Sequence, residues 1–322
     1  MRTLSLLFSC VLGASCALPQ AAVTTLPDRP ALDASIRAHM EFLAGDALNG
    51  RGSGTRDEWI AVTYAAAQMR RLGLEAVDPG GFVQTIVRGE ARTWNAVGRL
   101  AGADPAGRED VVLLSAHIDH LGNRAGQGGA ADTIYNGADD DASGTTAVLA
   151  LMERLARGPR PRRSIVFALF GSEERGGLGS RTFADVPTVP LPQIVANLQF
   201  EMIGRPDGAV APRTVWLTGF ERSTLGPELA RRGARLVPDP HPEMNFFERS
   251  DNIEFARRGI VAHTVASYGL HKEYHSPADQ LDLIDFAHMA DAIASLVEPI
   301  RWLANSDFRP EWRPGMMPER KQ

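Results

Sequence analysis

Cysteine is nearly absent from this 322-residue sequence: there are two, Cys10 and Cys16, and both lie in the apolar opening segment. A chain cleaved after Ala17 or later would hold neither, which excludes a disulfide framework and a thiolate metal site. A long basic run is also missing. The densest basic cluster, "RGPRPRR" at 157–163, reads as a solvated turn closing a helix. The formal net charge of −5 argues against nucleic acid as an obligate partner. There is no internal repeat, and no low-complexity tract beyond the proline-rich C-terminal tail. The apolar opening is too short for a confident membrane span. What remains, 44% hydrophobic and 23% charged, is the composition of an ordinary globular protein able to bury a substantial core.

In the opening "MRTLSLLFSCVLGASCALPQAAV", Arg2 is the only charge before Asp28, and an apolar stretch leads into small residues. Residues 1–23 therefore read as an export leader, with 24–322 a single domain in the periplasm or outside the cell. "LGAS" before Cys16 weakly resembles a lipobox, so a lipid anchor at Cys16 is the alternative. Gly13, where an aliphatic residue is usual, favours simple cleavage.

Leu32, Ile36, Met40 and Leu43 repeat at helical spacing. A second helix is signalled by "TRDEWIAVTYAAAQMRRLGLEAV", where Thr55 and Glu58 form a capping box and Gly73 a stop. Between these helices "NGRGSG" reads as a flexible connection, lacking the lysine and the preceding strand of a phosphate loop. Buried strands are expected at Val111–Ala116, Ser164–Phe170 and Ile194–Phe200, with two more in "TVWLTGF" and "GIVAHTVAS". Helices are expected in "ASGTTAVLALMERLARG", "STLGPELARRG" and "DFAHMADAIASLVEPIRWLANS". This layout predicts a mainly parallel sheet covered on both faces.

Each of the first three strands ends in metal-ligating residue types: His117, Asp119 and His120; then Glu173 and Glu174; then Glu201. In open α/β sheets these positions converge beyond the carboxyl ends of the strands. "YNGADDDASGT" places Asp139, Asp140 and Asp141 side by side before small residues. One carboxylate would suffice to cap a helix, whereas three among further glutamates need cations to offset their repulsion. Histidine and carboxylate without thiolate suit Zn²⁺. "EYHSPADQLDLID" supplies a further imidazole, His275, while His271 and His263 read as structural or rim residues.

The motifs "SAHIDHLG", "NGADDDASGT", "GSEERGGLGS", "NLQFEMIGRPD", "RSDNIEF" and "EYHSPADQ", in this order over Ser115 to Gln280, resemble those of peptidase family 28, the co-catalytic di-zinc aminopeptidases. The resemblance implies a three-layer α/β/α fold with a mixed, mainly parallel sheet, two zinc ions per chain, and peptides with a free N-terminus as substrates. The chain is too short to hold the protease-associated insert of larger relatives. By the same resemblance His117 binds one zinc, Asp140 bridges both, Glu174 and His275 bind the second, and Glu201 completes the first where aspartate is common. Glu173 is implied as general base to a metal-bridging water, Asp119 as the group that holds the His117 imidazole, and Asp141 as support for a loop with a cis peptide. Tyr274, or less strongly Ser250, would stabilise the oxyanion. Phe246 and Phe247 are candidates for the substrate-side wall or for core aromatics. Rival readings are glutaminyl-cyclase-like or carboxypeptidase chemistry on the same fold, or a non-catalytic binding protein.

Overall fold

A computed structural model describes residues 29–125 and 132–320; the leader, Cys10 and Cys16 lie outside them. In chain order the elements are α1 (Arg29–Leu43), α2 (Arg56–Arg71), β1 (Glu75–Ala76), β2 (Val83–Arg88), β3 (Ala91–Leu100), β4 (Val111–His117), β5 (Gly122–Asn123) and β6 (Ile134–Tyr135). They continue with α3 (Gly144–Arg157), β7 (Ser164–Phe170), α4 (Leu178–Asp185), β8 (Ile194–Phe200), β9 (Val215–Leu217), α5 (Leu225–Arg231), β10 (Leu236–Pro238), α6 (Asn252–Ala256), β11 (Ala262–Ala266) and α7 (Phe286–Asn305).

Among the described residues nine strands form one sheet in the order β1-β3-β7-β4-β8-β11-β9-β10, with β2 paired to β3. Its centre is parallel: β7, β4, β8 and β11 run the same way. The antiparallel pairs, β1–β3, β2–β3, β3–β7 and β11–β9, lie to either side. Every residue of β4, β7 and β8 is buried, as continuous apolar runs require when helices cover both faces. Val112 and Leu114 point to the side of α1, α3 and α7, whereas Val111 and Leu113 meet Phe183 of α4 and Phe255 of α6. The architecture is the expected α/β/α sandwich with a mixed, mainly parallel sheet.

Several local expectations are corrected. The stretch Asp46–Arg51 is a 3₁₀ turn with Arg51 buried, so "NGRGSG" is ordered packing and not a flexible connection. Thr55 Oγ1 caps α2, accepting from Asp57 N and Glu58 N at 3.2 and 3.4 Å. The Glu58 carboxylate, however, accepts from Gly54 N (2.7 Å), Thr93 Oγ1 (2.6 Å) and Ser172 N (3.1 Å), tying α2 to β3 and to the turn after β7. The β2–β3 hairpin and α4 have no counterpart in the sequence reading.

Candidate metal centre

Because β7, β4 and β8 run parallel, the residues that follow them emerge at one edge of the sheet. His117 closes β4, Glu173 and Glu174 follow β7, and Glu201 follows β8. The three aspartates enter this edge just before α3, and His275 arrives from the loop after β11.

Each aspartate has a different task. Asp139 Oδ1 accepts from Gly204 N at 2.7 Å, and its Oδ2 lies 2.9 Å from His271 Nε2. Asp141 Oδ1 accepts from Gly144 N and Met202 N, both at 3.0 Å, capping α3 and fastening the loop after β8. Asp140 lies between His117 and His275: its Oδ1 is 3.2 Å from His117 Nε2 and its Oδ2 3.0 Å from His275 Nε2. The peptide joining Asp140 to Asp141 is cis. Asp279, four residues past His275 in the same loop, accepts from the main-chain N–H groups of both Asp139 and Asp140 at 3.0 Å.

On the other side of Asp140, Glu174 Oε2 is 3.2 Å from His275 Nε2, and its Oε1 is 2.7 Å from His120 Nδ1. His120, Asp140 and Glu174 form a group whose ligand atoms all lie within 4.8 Å of one another. His275 takes φ +54, the left-handed region that a non-glycine residue enters at a cost, and this turn aims its ring inward. The Tyr274 ring stacks on that imidazole with centroids 3.8 Å apart.

Asp119 meets the His117 imidazole more closely through its main chain than through its carboxylate. Its main-chain oxygen lies 3.2 Å from His117 Nδ1, while its nearer carboxylate oxygen is 3.8 Å away. The carboxylate instead accepts from Ser53 Oγ and from the main-chain N–H groups of Glu173 (3.0 Å) and Glu174 (3.4 Å). It thus holds the glutamate pair.

The cleft over these groups is lined by Asp140, Glu173, Glu201, Ser250, Tyr274 and His275, and beyond them by Trp216, Thr218, Phe246 and Tyr268. Phe246 stacks on Trp216, centroids 5.5 Å apart. Phe247 points away: it is buried against His263 and Trp312 in the core, which corrects its reading as a substrate-wall residue. His263 is structural, its ring bonded to Ser223 Oγ and the Thr218 carbonyl.

Electrostatics mark the same cluster. Burial, with the fields of Glu201, Asp251 and Glu174 outweighing His117, raises the Glu173 carboxyl well above its usual range. Burial raises Glu201 to about 7, with Asp140 adding to it. Asp140 is held low, since the His117 and His275 hydrogen bonds overcome its desolvation. Burial opposes protonation of His275, yet Asp140 and Glu174 raise it to about 9.

Five buried atoms here, His117 Nε2, His120 Nε2, Asp140 Oδ2, Asp141 Oδ2 and Glu201 Oε2, have no well-aligned hydrogen bond among the described residues, although imidazole nitrogens stand 3.0–3.2 Å from the Asp140 carboxylate. Unpaired buried nitrogen and oxygen lone pairs are costly, and a divalent cation is the partner such atoms accept. The donors are imidazole and carboxylate without sulfur, a set that fits zinc.

The profile of Peptidase family M28 matches residues 95–298, more than half of the chain. The chain belongs to this family. As an M28 chain it is 27% identical over 208 residues to leupeptin-inactivating enzyme 1 of Streptomyces exfoliatus, an alignment covering 62% of this chain and 43% of that protein. It thus spans under half the length of that relative. The M28 fold here superposes on an aminopeptidase from Aneurinibacillus sp. strain AM-1 with a TM-score of 0.66 and 14% identity, covering 90% of this chain and 98% of that one. For BSAP, a zinc aminopeptidase from Bacillus subtilis, the TM-score is 0.66 at 15% identity, covering 86% and 96% of the two chains. At such identities the likeness speaks for the fold.

Two parts of the centre carry no assigned role in the sequence reading, although His120 counts there among the metal-ligating residue types. His120 stands in "HIDH" beside two residues given roles, and only its approach to Glu174 reveals a task. Asp279 lies inside the quoted "EYHSPADQ", and its partners are main-chain groups that no side-chain pattern can signal.

Proposed function

We propose that this chain is a zinc-dependent aminopeptidase that releases N-terminal residues from peptides. The observation that carries this reading is the set of buried nitrogen and oxygen atoms beside Glu173 that lack a well-aligned hydrogen bond, in a family of peptidases. His117, Asp140 and Glu201 would hold one ion, and Asp140, Glu174 and His275 a second, with His120 orienting Glu174 through its Nδ1 contact. Bound zinc would supply Lewis acidity toward the scissile carbonyl and toward water.

The chain's own residues supply the rest. The Glu173 carboxylate, which lines the cleft, would take the proton of the attacking water and deliver it to the departing amine. The Tyr274 hydroxyl, in the same cleft, would donate to the oxygen on which negative charge develops. Ser250 lines that wall and is the second donor. The substrate's ammonium is drawn to the carboxylate-rich end, which favours cleavage next to a free N-terminus. Trp216, Phe246 and Tyr268 would enclose the first side chain, giving preference to apolar residues. Residues 1–23 would act as an export leader to the periplasm or medium, with a lipid anchor at Cys16 as the variant outcome of N-terminal analysis. No described helix is long and apolar enough to cross a membrane.

The test is zinc content by elemental analysis together with hydrolysis of aminoacyl-p-nitroanilides and of N-acetylated controls. Two zinc ions per chain, chelator-sensitive turnover and inert acetylated substrates are expected. A Glu173→Gln variant with intact turnover removes Glu173 as the base.

A further inference from the structure

Arg51 is carried into the interior with 1% of its surface exposed, and Ser53 of the same "NGRGSG" segment is buried beside the metal centre. Its guanidinium makes no ion pair with a carboxylate among the described residues. It donates to main-chain carbonyls only: Nε to Ile118 (3.0 Å), Nη1 to Asn136 (2.7 Å) and to Leu43, and Nη2 to Gly137 (3.1 Å). Ile118 stands between His117 and Asp119, and Asn136 and Gly137 lead into Asp140. The main chain of the same segment grips the other side. His120 N donates to Arg51 O at 3.0 Å, Ser53 N donates to His120 O at 3.2 Å, and Ser53 Oγ bonds the Asp119 carboxylate. Arg51 holds φ +45, a left-handed backbone that a side chain of this size adopts at a cost.

The planar fork of guanidinium presents several N–H groups at fixed angles, so carbonyls bonded to one such fork are held at fixed distances from each other. A lysine at this place would carry the charge on a single nitrogen and could not span the same carbonyls. The cation also sits beneath the densest acidic part of the molecule, where the fields of Asp141, Asp119, Asp140 and Asp279 act on it.

We propose that Arg51 is a positioning residue for the metal centre: its guanidinium spaces the His117–His120 loop against the 136–140 loop, so that the ligands are set before the ions bind. This rests on the zinc reading above. It assigns the glycine-rich connection a task at a distance from substrate, since Arg51 does not line the cleft.

The experiment compares wild type with Arg51→Lys and Arg51→Gln. It measures zinc affinity by competition with a chromophoric chelator and the visible spectrum of the cobalt(II) form. Arg163→Lys is the control: Arg163 is equally buried and donates to the Leu303 and Phe308 carbonyls at the end of α7, away from the site. The expectation is that Arg51→Lys, folded by circular dichroism, binds zinc at least about tenfold more weakly with an altered cobalt spectrum, whereas Arg163→Lys lowers Tm and leaves affinity unchanged. Wild-type affinity and spectrum in Arg51→Lys, or an equal affinity loss in Arg163→Lys, overturns the proposal. If neither Arg51 variant folds, hydrogen exchange on metal-free wild type decides. Protection around Ile118 and Gly137 within about threefold of the zinc-loaded protein supports preorganisation. Free exchange there, with β4, β7 and β8 still protected, overturns it. A wild type that takes up no zinc defeats the functional reading itself and is told apart by that result.

Discussion

The Asp279 carboxylate accepts a 3.0 Å hydrogen bond from the main-chain N–H of Asp140, the residue that faces both His117 and His275. The same carboxylate also takes the N–H of Asp139. The loop that delivers His275 therefore fixes the loop that delivers Asp140, and the two sets of ligands are one mechanical unit.

Asp279→Ala should leave two buried N–H groups without an acceptor and loosen Asp140. We expect zinc affinity and kcat/KM to fall about 10- to 100-fold, and Asp279→Asn, which keeps one acceptor oxygen, to fall less. Zinc titration and initial rates on leucine p-nitroanilide measure both. Unchanged values for the alanine variant would show that Asp140 needs no such support.

His120 contacts Glu174 and Asp140 and yet does not line the substrate cleft. His120→Gln should weaken one zinc site selectively, so that stepwise metal titration shows one tight and one weakened binding event. Two equal, undiminished affinities would leave His120 as packing.

The neighbouring phenylalanines separate substrate contact from stability. Phe246→Ala should raise KM for leucine and phenylalanine p-nitroanilides about tenfold relative to the alanine substrate, with little change in Tm. Phe247→Ala should cost about 3–5 kcal/mol of stability, measured by urea unfolding, and leave KM ratios as in wild type. The opposite pattern would exchange their roles.

Stability should also depend on pH through two buried histidines remote from the ligands. Burial lowers both His39 and His263 to about 4 from an ordinary 6.5. A base with a depressed folded pKa stabilises the native state fully above pH 6.5, and that contribution is lost as pH falls from 6.5 toward 4. The slope is up to about 1.4 kcal/mol per pH unit for each group. In chelator-treated protein, the loss of urea stability between pH 7 and 5 should be smaller for His39→Gln than for wild type.

The strands β4, β7 and β8 are legible because burial on both faces writes itself as uninterrupted apolar runs. The β2–β3 hairpin is hidden for the converse reason: β3 buries Thr93 and Asn95, whose partners are Glu58, Gln84 and the Gly179 carbonyl, so polar residues occupy interior positions and blur the period. At the site, residue types and strand ends mark His117, the aspartate triplet, the Glu173–Glu174 pair and His275, and the family resemblance singles out Asp140 and Glu174 among them; the fold brings His117 and His275 within 3.2 Å of Asp140, and His275 within 3.2 Å of Glu174. Arg51 and Asp279 are invisible at that level, because each acts on main-chain groups contributed by distant segments. The capping box closes only on its threonine side, because the Thr55 N–H is taken by the Gly52 carbonyl while Glu58 accepts from Gly54 N, Thr93 Oγ1 and Ser172 N.

No cysteine occurs among the described residues, and the four loops that meet around Asp140 come from separate strands with no covalent tie. Ions seated there would be the cross-links this protein otherwise does without, fastening the last quarter of the chain to its middle. Withdrawing them should therefore make the protein a proteolysis substrate at those loops before its sheet unfolds, so that resistance to digestion and possession of metal rise and fall together.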